Sequence, residues 1–593
     1  MPYLISISIG PVQEFIAAAR KTRDLWAGSN LLSEVARAAA ERLSTDGCKL
    51  IYPSGRTLCD RDLSVPNKIL AQAPDAAPPA RLASAARMAA EQFLEQALQG
   101  ALQKVQHNFP SSDWSSDWQT CLAQVKGFLE FYAAWWPLEG TDFAVARERV
   151  EELLAGRKAL RDFRPPSSRA GIPKSSLDPS RDAVLDGREL QGAGLDVKRG
   201  EMLDAISLIK RFGETRRFVS TARVAADPLI RAMQGVGTDH LHELKKLAEK
   251  MAEEGGLCTR FDRKAFPQYE AFPYDTTLFF SEGREEEAED PAAGEAREFG
   301  RVVDGFLRKH GLPDPPAYYA ILAADGDRMG EMVAERARGG VQDLTCLSVR
   351  LGEFSKKARD IVENPDIVEK KYCGALVYSG GDDVLAFLPL DSVLECADAL
   401  RREFQQMTGG TMSIGISIAH YAANLQTAVE WARRAEREAK SSGRNALAVH
   451  LHTRTAGDEC LSAVSPWDQD PVQTRWKAWL DLLEREELPS QAAYHLRALA
   501  REFPEVSRNS SEQLRSALTA EAGRIIRRKR AEGGSRAIGA GTVEAVAGLL
   551  SSPPGAAVTT DSLDNAVNEM IICRRIAIAR RIAALGGRTC PQS

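Results

Sequence analysis

Two adjacent carboxylates interrupt an apolar run. The stretch VYSGGDDVLAFLPL, Val377–Leu390, centres on Gly380, Gly381, Asp382 and Asp383. A solvated hairpin turn accounts for such a centre by itself, because glycine tolerates positive φ and aspartate bonds its own backbone. A second acidic strand end changes the balance. AYYAILAADGDRMG, Ala317–Gly330, reads as an apolar strand closing on Asp325, Gly326 and Asp327. Were the two ends to meet, Asp325, Asp382 and Asp383 would repel one another and their pKa values would rise. A hard divalent cation resolves that conflict, since carboxylate and phosphate oxygens are the ligands Mg²⁺ takes. Two such ions, about 3.5–4 Å apart, activate a ribose 3′-hydroxyl and neutralise a triphosphate. Gly380 and Gly381 would let the backbone approach the nucleotide. Lys440, in EAKSSGRNALAV, lies near a helix end ahead of a Gly443 cap and could reach phosphates as a point charge. A solvated lysine favoured by the helix dipole is the plainer account of it, and Asp327 reads equally as a turn residue.

The elements around these residues form a recognisable order. Strands are expected at Ala317–Gly326, GALVYS, VLAFLPL, TMSIGISIAHY and NALAVHLH. Helices are expected near Leu344–Val362, over Asp391–Met407 with Asp391 as N-cap, and after an Asn424 cap. The resulting β-α-β-β-α-β-α-β order is a ferredoxin-like core with an added helix and strand. In that core the first strand lies beside the central hairpin. Upstream, YLISISIG reads as a strand, with helices after it; Ser29 or Asn30 is the expected cap of the second. KLIYP reads as a further strand. Residues 84–126 read as helical with a break at NFPSSDWSSDW, 161–184 as a long loop, and 201–254 as mostly helical. SEGREEEAEDPAAGEARE, 281–298, reads as a solvated acidic excursion, and the chain beyond 458 as helical. The fold class is α+β. Domains are expected at 1–225 (strands and helices with a helical insertion; a first palm, by the resemblance given below), 226–315 (a helical linker with the acidic segment), 316–455 (the block that carries GGDD) and 456–593 (helical).

Bulk properties exclude several classes. The chain has 593 residues, 44% hydrophobic and 27% charged, with net charge −5, so no global basic field draws it to nucleic acid or membrane. No apolar run nears the roughly 20 residues of a membrane span. The ten cysteines include no C-x-x-C pair, which argues against a thiolate zinc site and for reduced thiols in the cytoplasm. His420, His450 and His452 lie on or beside palm strands, where packing or exposure explains them. The basic runs RIIRRKR (524–530) and RRIAIARR (574–581) suit either a solvated helix face or contact with RNA phosphates.

The palm block resembles that of GGDEF and class III nucleotide cyclases. With DGDRMG ahead of GGDD, it resembles the large subunit of type III CRISPR RNA-guided complexes. SIGPVQEFIAAARKTRDLWAGSNLLS, GIPKSSLDPSR and RRFVSTARVAADP are similar to the Cmr (type III-B) branch. The resemblance implies two palms, the first non-catalytic. The second would join ATP 3′–5′ into cyclic oligoadenylates when target RNA is bound, with two Mg²⁺ or Mn²⁺ ions on Asp325, Asp382 and Asp383. Gly326, Ser379, Gly380, Gly381 and Lys440 would line the nucleotide. Other Cmr-type subunits, guide RNA and target RNA are the implied partners. Joining AMP to another acceptor such as S-adenosylmethionine, or a silent scaffold, are the alternatives. The chain opens at the first palm strand and has no His-Asp dipeptide, so no HD-type DNase is expected. Only Cys258 lies between the palms, so no zinc is expected there.

Overall fold

In the computed structural model, the residues described are 2–61, 63–75, 77–108, 118–160, 171–187, 197, 200–213, 217–236, 238–254, 258–286, 293–363, 372–454, 460–489, 491–503, 506–507, 509–529, 538–551 and 558–586. Two sheets organise them. The first has strands β1 (Tyr3–Gly10), β2 (Lys49–Tyr52), β3 (Lys68–Gln72) and β4 (Glu130–Pro137), in the order β2-β3-β1-β4. A short pair, β5 (Leu185–Asp186) and β6 (Met202–Leu203), lies apart from it. The second sheet has β7 (Tyr318–Gly326), β8 (Ala375–Gly380), β9 (Asp383–Leu388), β10 (Met412–His420), β11 (Ala446–His452) and β12 (Cys460–Pro466). Its order is β12-β11-β10-β7-β9-β8. Within each sheet the first four strands follow the ferredoxin-like path, so the architecture is two palms of the same topology.

Period-two alternation explains how each palm is filled. On β1, Ile5, Ile7 and Ile9 are buried against the helices Thr22–Thr45 and Pro79–Asn108. Each such side chain contributes about 1.5–3 kcal/mol relative to exposure. Ser6 points the other way, and its hydroxyl donates to Glu151 Oε1 at 3.0 Å, on the helix Phe143–Ala159. Both faces of the second sheet are covered, so its strands read as continuous apolar runs. Leu322, Ala324, Val384 and Ala386 face the helices Val341–Glu363 and Val393–Thr408. Ile321, Ala323, Leu385 and Phe387 belong to the opposite face, with the helix Leu425–Ser441.

The first palm seals the edge of the second. On β8, Leu376 O accepts from Trp26 Nε1 at 2.9 Å and Val377 O from Ser29 Oγ at 3.2 Å, while Leu376 N donates to Glu363 Oε1 at 2.8 Å. The Trp26 ring meets Phe387 edge-on at 5.1 Å. These bonds satisfy an edge that would otherwise be open to another strand.

Several expectations are corrected. Ser29 and Asn30 do not cap a helix; the helix begins at Thr22, and Ser29 is buried inside it, spent on β8. Asp391 does not cap Val393–Thr408. It is ion-paired with Arg231 at 2.7 Å, and Ser392 stands at the cap. The chain beyond 455 is not wholly helical, because β12 pairs antiparallel with β11 and widens the sheet. The helix Thr221–Val236 runs across the boundary expected at 225/226. Parts of the acidic segment are helical, at Ser281–Glu286 and from Ala293, with 287–292 outside the described residues. The break at 109–117 and the loop portion 161–170 also lie outside them. Asn424 does cap its helix, accepting from Thr427 N at 3.0 Å. No helix among the described residues is long and apolar enough to cross a membrane.

Candidate nucleotidyl-transfer site

The acidic residues meet at one end of the second sheet, and strand period dictates which face they take. Asp325 follows Ile321 and Ala323 on β7, and Asp383 precedes Leu385 and Phe387 on β9. Both therefore belong to the face covered by the helix Leu425–Ser441. Between β8 and β9 only Gly381 and Asp382 remain as a two-residue loop, since Gly380 pairs with Asp383. Gly381 has φ +75°, the left-handed conformation that such a loop requires at its first position. Its backbone N donates to Ser355 Oγ at 3.1 Å. A Cβ on Gly326 would lie 2.9 Å from Asp382 Cβ, so glycine at 326 is what lets the turn close onto the end of β7.

The last turn of Leu425–Ser441 brings the cation. Lys440 Nζ contacts Asp325 Oδ2 and lies 2.9 Å from Glu436 Oε1. Buried Arg433 of the same helix faces Asp383. Four carboxylates thus meet two cations, leaving two negative charges in excess when all are ionised. Burial first, then Asp325 and Asp383, push the Asp382 carboxyl up to about 8. Burial also raises Asp383, to about 6, with Arg433 opposing and Asp325 and Glu436 adding. A divalent cation fits this donor set, because it replaces the protons that the cluster otherwise retains.

These shifts carry a consequence for stability. Both carboxyls ionise at lower pH in the unfolded chain than in the folded one. Between about pH 4 and pH 8 the folded chain therefore holds protons that the unfolded chain has released, and stability falls as pH rises through that window. Thermal unfolding in chelator should show a midpoint that drops from pH 5.5 to 8. Asp382→Asn should flatten the trend, and added Mn²⁺ should reverse it. A midpoint of equal pH slope in parent and variant would contradict the assigned cluster.

Beyond the acids, the site opens into a cavity of about 580 Å³ between the palms, lined on one side by Gly380, Asp382 and Asp383. Its far wall, from the first palm, carries Arg147 and Lys158 beside Glu130, and Lys68, which is ion-paired with Glu151. Tyr52, at the end of β2, stands over the turn, where its hydroxyl would lie 2.8 Å from a Cβ on Gly381. Among the residues expected to line a nucleotide, Gly326, Gly380, Gly381 and Lys440 gather at the acids. Ser379 does not line this cavity; it borders a separate one beside Trp26, and its buried hydroxyl makes no hydrogen bond. Alternation along β8 is the reason, since Tyr378 and Gly380 take one face and Ser379 the other.

Three contributors escaped the sequence reading. Asp327 is a buried acceptor: Thr411 Oγ1 (2.8 Å), Ser413 Oγ (2.7 Å) and Asn445 N (2.9 Å) donate to it. It ties the end of β7 to the start of β10 and to the turn after Lys440. Glu436 was readable from its i, i+4 spacing to Lys440. Arg433 had no signal of its own. Among the described residues the first sheet has no such centre. Ile9 precedes Gly10 where Asp325 precedes Gly326, and β2 joins β3 through a longer connection than a two-residue loop. In the basic runs, Arg580 pairs with Glu395 and Glu484 and Arg581 with Glu486, so these two are spent within the chain. Arg524, Arg527 and Arg528 are exposed, and Arg530 lies outside the described residues.

Comparison with known proteins agrees with this layout. The Cas10/Cmr2 second palm domain family matches residues 318–448, and the CRISPR-associated protein Cmr2 N-terminal family matches residues 4–107. The CRISPR system Cmr subunit Cmr2 of Pyrococcus furiosus is 33% identical over 190 residues, covering 26% of this chain and 21% of that protein. The match thus spans about a fifth of that relative's length. Two cryo-EM structures of the type III-B Cmr-beta complex share the fold. The apo state has a TM-score of 0.64 at 14% identity, covering 96% of this chain and 81% of that one. The state bound to cognate target RNA has a TM-score of 0.62 at 13% identity, covering 96% and 83%. The chain is thus similar to Cas10/Cmr2 proteins in two separate regions, its N-terminal part and its acidic palm.

Proposed function

We propose that the chain is the nucleotidyl-transfer subunit of a type III-B CRISPR complex, joining ATP into cyclic oligoadenylates when target RNA is bound. The meeting of Asp325, Asp382 and Asp383 beneath Lys440, at the mouth of an inter-palm cavity of about 580 Å³, is the observation that carries it. That volume lies within the roughly 300–1,000 Å³ of small-molecule sites. Asp325, Asp382 and Asp383 would hold two divalent ions; bound there, such ions neutralise the triphosphate and lower the pKa of the attacking 3′-hydroxyl. Glycines 380 and 381 present backbone without side chains to the nucleotide. Lys440 holds Asp325 in place and offers its ammonium to phosphate oxygens. Arg147 and Lys158 of the far wall would draw the triphosphate into the cavity. Partner subunits and guide and target RNA are part of the proposal, supported by the two family-model matches and by the likeness to the Cmr-beta fold.

The test is to incubate the assembled complex with ATP, Mg²⁺ or Mn²⁺ and target RNA, and to identify products by mass spectrometry. Cyclic oligoadenylate that depends on target RNA is the expected result. A product containing AMP joined to another acceptor would replace the substrate assignment while keeping the site, and no product from ATP would refute the reading. Lys440→Met should lower kcat/KM for ATP about 100-fold, the typical loss of one charged stabiliser of a transition state. Lys440→Arg should recover part of it. An unchanged kcat/KM in Lys440→Met would remove Lys440 from the site.

A further inference from the structure

A second cluster lies on the same sheet, away from the acidic turn. His450 and His452 are two apart on β11, so both side chains take one face. β12 runs antiparallel beside it and sets Cys460 directly opposite His452. One potential ligand atom from each of His450, His452 and Cys460 lies within 4.8 Å of the others. The Cys460 sulfur is 3.6 Å from His452 Nε2. Trp431 stacks flat on the His452 ring at 3.7 Å and fixes its plane.

The surroundings of His450 turn this grouping into a site. The side chain is 2% exposed. Its Nε2 lies 2.6 Å from Glu438 Oε2, and Glu438 Oε1 accepts from Ser462 Oγ at 2.8 Å. The other ring nitrogen, Nδ1, is buried and has no hydrogen-bond partner. A buried polar nitrogen left unpaired costs about 1–3 kcal/mol unless something satisfies it. Metal-bound histidines characteristically donate their second N–H to a carboxylate that is itself hydrogen-bonded. Ser462, Glu438 and His450 form that relay here, and it leaves Nδ1 as the ligand atom.

We infer that His450, His452 and Cys460 form a zinc site, with Glu438 as the outer carboxylate that orients His450. Two imidazoles and a thiolate are a donor set that Zn²⁺ takes readily, at about 2.0–2.1 Å for nitrogen and about 2.3 Å for sulfur. Tightening from the present spacing falls to Cys460, which is exposed, while Trp431 keeps the half-buried His452 ring in its plane. Three protein ligands leave a fourth position for water. This is a different place from the inter-palm interval in which cysteine spacing gave no zinc site. No C-x-x-C signature announces it, because the sheet register rather than local spacing brings Cys460 to the histidines. The metal would staple β12 to β11 and, through Glu438, hold the last turn of the helix that carries Lys440.

The experiment uses the purified full chain stripped with chelator and titrated with Co²⁺, then Zn²⁺. One Co²⁺ per chain should give a thiolate-to-metal charge-transfer band and the d–d bands of a tetrahedral ion, both removed by one equivalent of Zn²⁺. Cys460→Ser should abolish the charge-transfer band, and His450→Gln should weaken Co²⁺ binding at least 100-fold. Glu438→Gln should weaken it about 10–100-fold, the usual effect of losing an outer carboxylate. Asp382→Ala with Asp383→Ala should leave the charge-transfer band and its displacement by Zn²⁺ unchanged, while removing Co²⁺ bound without that band, which separates this site from the acidic turn. Circular dichroism of each variant establishes that it is folded. No charge-transfer band in the folded parent, or the same band in folded Cys460→Ser, overturns the site.

Discussion

A chain carrying Asp382→Ala together with Asp383→Ala is expected to make no nucleotide product, a loss of at least about 1,000-fold, while remaining folded and assembled. The loss follows from what the two carboxylates hold. With both removed, Asp325 is left facing Lys440 and Glu436, and nothing at the turn can retain a divalent pair. Removing a single stabiliser of developing charge typically costs about 10²–10³ in rate, and the double variant removes two metal-holding groups at once. Folding should survive because of where the residues lie. Asp382 is one of the two loop residues and Asp383 opens β9, both half-buried rather than core. Their carboxyls are held above their ordinary pKa by burial and mutual repulsion, so in metal-free buffer near pH 8 the variant should be at least as stable as the parent. RNA binding and guide-directed cleavage of target RNA should persist. The measurements are product by mass spectrometry, assembly by size-exclusion chromatography, and thermal unfolding in chelator. Product at the parent rate from the assembled double variant would dismantle the site.

Much of this site was legible in the sequence, for a physical reason. Strands buried on both faces read as uninterrupted apolar runs, and a glycine-aspartate centre between two of them can only be a tight turn. Once the ferredoxin-like order is read, β7 must lie beside the hairpin, so Asp325 must meet Asp382 and Asp383. What was not legible depends on contacts distant in sequence. Ser29 has the chemistry of a helix cap, but its hydroxyl is spent on Val377, 348 residues away. Asp391 stands where a cap belongs, yet Arg231 holds it. Asp327 looks like a turn residue until Thr411, Ser413 and Asn445 converge on it. Ser379 sits beside the glycines in sequence, but strand alternation sends it to the opposite face. The segments that carried the family resemblance prove to be structural mortar. In TRDLWAGSN, Asp24 meets Arg211, and Trp26 and Ser29 seal β8. In GIPKSSLDPSR, Ser175 donates to Asp204 at 2.6 Å. In RRFVSTARVAADP, Arg217 pairs with Glu363 and Arg223 with Asp227.

Arg211→Met should destabilise the first palm by about 3–5 kcal/mol, the cost of breaking a buried ion pair from one side. The Arg211 side chain is wholly buried. Its Nε and Nη2 donate to Asp24 Oδ1 and Oδ2 at 2.7 and 2.8 Å, and its Nη1 donates to Glu201 Oε2 at 2.9 Å. Both carboxylates are nearly inaccessible, so methionine would take from two buried negative charges the guanidinium they share, in a medium of low polarity. The arginine also clamps sequence-distant parts together: Asp24 lies in the first turn of Thr22–Thr45, and Arg211 in the helix Ala205–Phe212. Next to it, Lys210 Nζ donates to Ala18 O at 2.8 Å and holds the end of the short helix Gln13–Ala17. Loosening this cluster tilts Thr22–Thr45, and with it the Trp26 and Ser29 bonds that seat β8 and its acidic turn. Denaturant unfolding followed by tryptophan fluorescence should show an earlier transition at a lower midpoint. A companion variant with Asp24→Leu, Arg211→Met and Glu201→Leu removes all three charges and should recover most of the lost stability, because the penalty lies in the stranded carboxylates. If the triple variant were as unstable as Arg211→Met alone, packing of the arginine stem rather than its charge would be what the site contributes.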